Sequence, residues 1–213
     1  MPAILERFLP AGRGRNGPLV ACDGLALLLL AGGLAVLYGP HLGAPLVFDD
    51  IDFFSSNFAA KYGAEFSPLQ LRYWSYATFA FQQIVFGNDA AGYRLVNVAL
   101  HLMVGAALGL FLRTLRELVL PDHGEGRSIG FGEQLVIWLS VALFLFHPVA
   151  VYGVAYLMGR SIVMATLFSL LMWWAHMRGL ASGKPGWFAL ALLFFYLALY
   201  SKEHSVMAPA VAP

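Results

Sequence analysis

Apolar runs long enough to cross a bilayer recur along this chain, and they limit the fold more than any other feature. A span needs about 20 predominantly apolar residues to cover the hydrocarbon thickness. Leu19 to Tyr38 supplies the first such run, and Gly92 to Leu112 the second. Phe131 to Phe146 makes a slightly short third, Ser161 to His176 a fourth, and Trp187 to Tyr200 begins a fifth. The expected fold class is all-α, a multi-pass transmembrane helical bundle. The chain is 60% hydrophobic and 12% charged, where a soluble domain is nearer half apolar and a quarter charged. A net charge of +1 with no basic face argues against a nucleic-acid partner and leaves membrane lipids as the expected surroundings. The single cysteine, Cys22, cannot form an internal disulfide.

Residues 1–18 are rich in Gly, Pro and Arg and are expected to form a mobile cytoplasmic tail. Arg13 and Arg15 precede the first run as in a signal-peptide n-region. That run is much longer than an h-region, and no clear cleavage site follows it, so an anchored first helix is expected. Residues 19–213 then form the transmembrane domain, with an external loop and an interfacial helix at 39–90. Basic residues orient it. With the tail inside, Arg7, Arg13, Arg15, Arg113, Arg116, Arg127, Arg178 and Lys184 lie inside. Lys61, Arg72, Arg94, Arg160 and Lys202 lie outside, and the inner excess follows the positive-inside rule.

Between the runs, polar groups cluster. Asp49, Asp50 and Asp52 fall in the first outer loop. Crowded acids raise one another's pKa, which makes a proton acceptor usable near neutral pH. The alternative is a solvated, helix-capping acidic turn. From Pro68 to Phe86, Tyr73, Trp74 and Tyr76 suit the interface while Gln70, Arg72, Gln82 and Gln83 are awkward in a span. A helix lying on the membrane surface is expected, a true span being the alternative. Arg94, Asn97 and His101 recur at spacings of three and four and share one helix face, which should point into the bundle. That face is either an interhelical hydrogen-bonding stripe or the lining of a substrate or proton path. Arg113 to Gly130 reads as a polar connecting loop, and Val149 to Arg160 as a tight turn region.

With this topology Asp49 to Asp52, His147 to Arg160 and Ser201 to His204 share the outer side. Acids on one element and cations on others suit a transfer with an anionic leaving group: a carboxylate takes the proton from the nucleophile, and Arg, Lys or His⁺ stabilises the departing phosphate. Basic residues at helix ends also bind lipid headgroups or carbonyls with no chemical role. No His-Glu-x-x-His, Cys/His metal constellation, Gly-x-Ser-x-Gly or phosphate-binding glycine loop occurs. A divalent ion on Asp49 and Asp50 is compatible with their oxygen donors.

The stretch Val47-Phe48-Asp49-Asp50-Ile51 resembles the diacidic first-loop motif of membrane glycosyltransferases that use polyprenyl-phosphate sugars. Three later segments, Gly92 to His101, His147-Pro148-Val149 running to Gly159-Arg160, and Ser201-Lys202-Glu203-His204, resemble the same group in order and spacing. The set is similar to the transmembrane O-mannosyltransferases with tetratricopeptide repeats and their bacterial relatives. The resemblance covers about Pro45 to Pro209. It implies the N-terminal portion of a GT-C-like fold with a catalytic first external loop. It also implies a lipid-linked sugar donor, a protein or glycan hydroxyl acceptor and no required cofactor. Asp49 would be the general base and Asp50 its support. Arg160, Lys202 and His204, with His147 after them, would bind the donor phosphate. The sequence departs from the family pattern at three places: Ala150 to Gly153 hold no glutamate, Ile162 replaces an acid, and Ser67 replaces an arginine. The short span count suggests part of a larger enzyme. The expected function is inverting transfer of a mannose-like sugar on the periplasmic or lumenal side. A non-catalytic transporter or accessory subunit, or an inactive or truncated remnant, stands as the alternative. Three Lys against ten Arg, with abundant Ala and Gly, favour a bacterial inner membrane over the endoplasmic reticulum.

Overall fold

The computed structural model describes residues 17–55, 62, 64–120 and 129–211. Most of the expected tail, with Arg7, Arg13 and Arg15, and also Lys61 and Arg127, lie outside the described residues. Among the described residues every regular element is helical. They are α1 (Gly17–Tyr38), α2 (Asp49–Ser55), α3 (Tyr73–Phe86), α4 (Ala90–Val119), α5 (Phe131–Leu145), α6 (Ala150–Val154), α7 (Arg160–Ser182) and α8 (Pro185–Leu199). Short 3₁₀ turns follow at Gly39–His41, Leu157–Gly159 and Glu203–Val211.

Three helical stretches are long and apolar enough to cross a membrane: Asp23–His41, Ala90–Val119 and Leu157–Ser182. The other two expected spans, α5 and α8, are apolar helices of 15 residues each. At 1.5 Å per residue each covers about 22 Å, short of a hydrocarbon core of about 30 Å. At 14 residues, α3 is likewise shorter than a span.

Helix α7 sits between α4 and α8, and α4 in turn packs on α1 and α5. Val104 and Ala107 of α4 meet Val163, Leu167 and Leu170 of α7. Leu30, Leu34 and Tyr38 of α1 meet Val141 and Leu145 of α5. Met172 and Ala175 of α7 meet Ala191 of α8 and Ala208 of the last 3₁₀ turn. Small residues permit these close crossings. At Gly105 a Cβ would lie 2.7 Å from the Leu145 side chain.

The stretch read as a loop from Arg113 is helical through Val119, so α4 runs two turns beyond its apolar part. Ion pairs explain the extension. Arg113 bonds Asp23 of α1, Arg116 reaches Glu133 of α5 at 3.0 Å, and Glu117 pairs with Arg178 of α7 at 3.5 Å. Asp23 also accepts from Gln134 Nε2 at 2.8 Å and Trp138 Nε1 at 3.0 Å. A carboxylate in an apolar helix is thereby satisfied from three neighbours, as buried charge requires. These contacts gather one end of the bundle, the end read as inner.

Candidate functional site

The opposite end is built on α2 and the turn between α5 and α7. Leu42 to Phe48 approach α2 without regular structure, and Phe48 holds a left-handed φ of 52°. The amides of Asp50 and Ile51 then bond the carbonyls of Val47 and Phe48, opening the helix with acids in its first turn. The partial positive charge of a helix start favours acids there.

The two leading acids have different surroundings. Asp50 is fully buried. Its Oδ2 accepts from the Leu157 amide and its Oδ1 from the Met158 amide, both at 3.2 Å. Burial pushes its pKa up, while the two amides and nearby Arg94 pull against that shift. Asp50 thus caps a 3₁₀ turn far away in sequence rather than its own helix. Asp49 is exposed, and its charge is near enough to act on the Tyr156 phenol. Burial and the two neighbouring carboxylates push that phenol up to about 12. Tyr156 stacks on Tyr152, with ring centroids 5.4 Å apart. Asp52 is exposed.

The face bearing Arg94, Asn97 and His101 is buried and points into the bundle. It is spent on carbonyls at helix ends and turns. Arg94 donates to Leu42 O at 2.7 Å, to Ala44 O, to Pro45 O at 3.0 Å and to Ala155 O at 3.1 Å. One guanidinium therefore ties the approach to α2 against the turn that leads to α7. Asn97 donates to Val154 O at 3.2 Å. His101 Nε2 lies 3.0 Å from Leu145 O, at the last turn of α5. These contacts make the face an interhelical hydrogen-bonding stripe.

Arg160 departs from its expected role. It is fully buried, with Nε on Asn97 Oδ1 at 2.7 Å, Nη1 on Thr78 Oγ1 at 3.1 Å and Nη2 on Tyr93 O at 2.9 Å. Its guanidinium lies 3.9 Å from the centre of the Phe79 ring. The side chain joins α3, α4 and α7 from within and presents nothing to a donor phosphate at the surface. Its neighbours Phe53, Tyr76, Phe79, Tyr93 and Leu157 form an aromatic-rich core that seats α2 on α3 and α4.

Lys202 and His204 follow α8. Lys202 Nζ lies 3.9 Å from Glu203 Oε1 and its side chain is 23% exposed, while His204 is exposed. Glu203 forms a two-pronged ion pair with Arg72, which holds its carboxyl down at about 2. Trp74 N on Tyr200 O and Ser75 Oγ on Ser201 O close the same junction. His147 is exposed, and its Nδ1 accepts from the Val149 amide at 3.2 Å, capping its own turn.

These contacts bring the loop acids, the turn after α5 and the residues after α8 to one end of the bundle. Among the described residues no ion pair joins Asp49 or Asp50 to His147, Arg160, Lys202 or His204. Tyr152, Tyr156 and the Arg72–Glu203 pair were missed in the sequence. The i, i+4 spacing of the two tyrosines was the available signal. Each Asp50 oxygen accepts from one amide, so a divalent ion on the acid pair would share those oxygens with the 157–158 turn. Among the described residues no group of three or more His, Cys, Asp or Glu is placed to hold a metal.

No family model, curated protein or solved structure matches this chain.

Proposed function

We propose that this chain is a multi-pass membrane glycosyltransferase, moving a mannose-like sugar from a polyprenyl phosphate to an acceptor hydroxyl. The reaction would lie on the periplasmic or lumenal side, with a bacterial inner membrane preferred to the endoplasmic reticulum. In this reading the acceptor oxygen attacks the anomeric carbon as the carbon–oxygen bond to phosphate breaks. The acceptor proton passes to Asp49, the polyprenyl phosphate departs with the electron pair, and the anomeric configuration inverts.

The observation that carries the reading is the division of labour between adjacent acids. Asp50 is locked into the fold by two amides, whereas Asp49 is open to solvent beside it. A carboxylate that must reach an incoming hydroxyl needs both access and a fixed base, and this arrangement supplies both. Lys202, His204 and His147 lie at the same end with solvent access and are the groups for the departing phosphate. Arg160 enters as an internal support instead.

The transporter reading drew on Arg94, Asn97 and His101, whose donors are engaged with carbonyls. The deciding experiment reconstitutes the protein in lipid and follows transfer from a radiolabelled polyprenyl-phosphate sugar. Asp49→Asn should lower the rate by about 10²-fold or more, the usual share of a general base. Full activity in that variant removes Asp49 from the chemistry.

A further inference from the structure

We propose that Tyr152 and Tyr156, with the Asp49 carboxylate at their edge, form a platform for a pyranose ring; this assignment rests on the transferase reading above. A sugar ring has an apolar face of C–H groups and a rim of hydroxyls. A site for it needs a flat aromatic surface and a fixed acceptor beside that surface. Tyr152 is 62% exposed, yet its ring is set by contact with Tyr156, 5.4 Å between centroids and 29° between planes. Tyr156 immediately precedes the Leu157 and Met158 amides that hold Asp50, which sets the acid pair beside it. The acid and the aromatic surface are thereby one unit.

The backbone also builds this pair. Between α6 and α7 the chain returns so closely on itself that a Cβ at Gly159 would lie 2.6 Å from Tyr152 O and 2.9 Å from Gly153 Cα. Only glycine permits that approach, and the approach sets where Tyr152 stands. The amides of Leu157 and Met158, just beyond Tyr156, hold Asp50. The same turn therefore grips the buried acid with its backbone and carries the tyrosine pair next to the exposed acid. A tyrosine that only anchored the chain in headgroups would need neither the stack nor the carboxylate.

The ring could belong to the lipid-linked donor or to a glycan acceptor. Saturation-transfer NMR on the protein in lipid nanodiscs, with methyl mannopyranoside as probe, tests the platform without any transfer. Saturation should reach the probe's ring protons in the wild type and in Tyr152→Phe. It should fall about fivefold in Tyr152→Leu and Tyr152→Ala, the factor carried by about 1 kcal/mol of lost ring contact. Equal saturation in all variants, none in the wild type, or its loss in Tyr152→Phe overturns the proposal. In the transfer assay, Tyr152→Leu should raise KM for the donor alone if the ring is the donor's, and for the acceptor alone if it is the acceptor's. Unchanged KM values in Tyr152→Leu, with Asp49→Asn inactive, would sink the platform and leave the transferase. Pyranoside binding through Tyr152 in a protein that transfers nothing would do the reverse.

Discussion

Three polar residues, Asp49, Asp50 and Arg160, carry most of the account, and each has a different fate. Asp50 is spent on the Leu157 and Met158 amides, Asp49 is open to solvent, and Arg160 is enclosed among Asn97, Thr78 and Tyr93. The two acids should therefore separate cleanly on mutation. Asp50→Ala orphans the buried Leu157 amide and the half-buried Met158 amide, the former worth about 1–3 kcal/mol, and should lower the thermal midpoint in detergent. Asp49→Asn should leave that midpoint unchanged while removing transfer. A stable Asp50→Ala protein would contradict the role given to the buried carboxylate. The spacing Asp-Asp-Ile-Asp showed that acids were concentrated here. It was silent on which one faces inward, because that depends on where the distant 157–158 turn lands. Arg160 was misread for a related reason. A basic residue at a helix start usually reaches water, and here an aromatic core around Phe79 and Tyr93 encloses it instead.

At the scale of elements, apolar run length made five helices legible, of which three are long enough to cross a membrane, and their ends were less so. Helix α4 continues to Val119 because Arg113, Arg116 and Glu117 find partners on three other helices. Hydropathy alone does not register such pairs. The stripe of Arg94, Asn97 and His101 was legible as a shared face, but its partners are carbonyls that no side-chain pattern marks. Two measurements address the elements. Gly159→Ala forces a Cβ against backbone at 2.6 Å, whereas Gly105→Ala meets the mobile tip of Leu145 at 2.7 Å. Overpacking costs about 1–3 kcal/mol. Thermal midpoints should fall more for Gly159→Ala than for Gly105→Ala, and the reverse order would count against the close crossing after α6. The Arg72–Glu203 pair joins the start of α3 to the end of α8 and has a defined pH window. Its folded carboxyl sits at about 2, below an ordinary glutamate at about 4.3. Its stabilisation is therefore fully present above about pH 5 and is lost as pH falls toward 2. Both side chains are more than a third exposed, so the effect should be no more than about 1 kcal/mol. The midpoint gap between wild type and Glu203→Gln should hold steady above about pH 5 and close in acid. A gap that widens in acid would refute the assignment.

For the whole molecule, the central claim is that two chemically distinct ends face opposite sides of a membrane. One end carries the ion pairs around Asp23, Arg116 and Arg178. The other carries Asp49, Tyr156, Lys202 and His204. The contacts of Arg94, Asp50 and Ser75 draw the second end together from separate parts of the chain. In the proposed topology that end is placed outside by the distribution of basic residues and not by those contacts. Exposed positions at each end give the direct test: Phe48 and His204 at one, Lys184 at the other. Each is changed singly to cysteine in a Cys22→Ser background, and intact cells are treated with a membrane-impermeant thiol reagent. The account requires labelling at positions 48 and 204 from outside, and at 184 only after the membrane is permeabilised. Labelling of 48 and 204 from opposite sides, or of all three from one side, would contradict it.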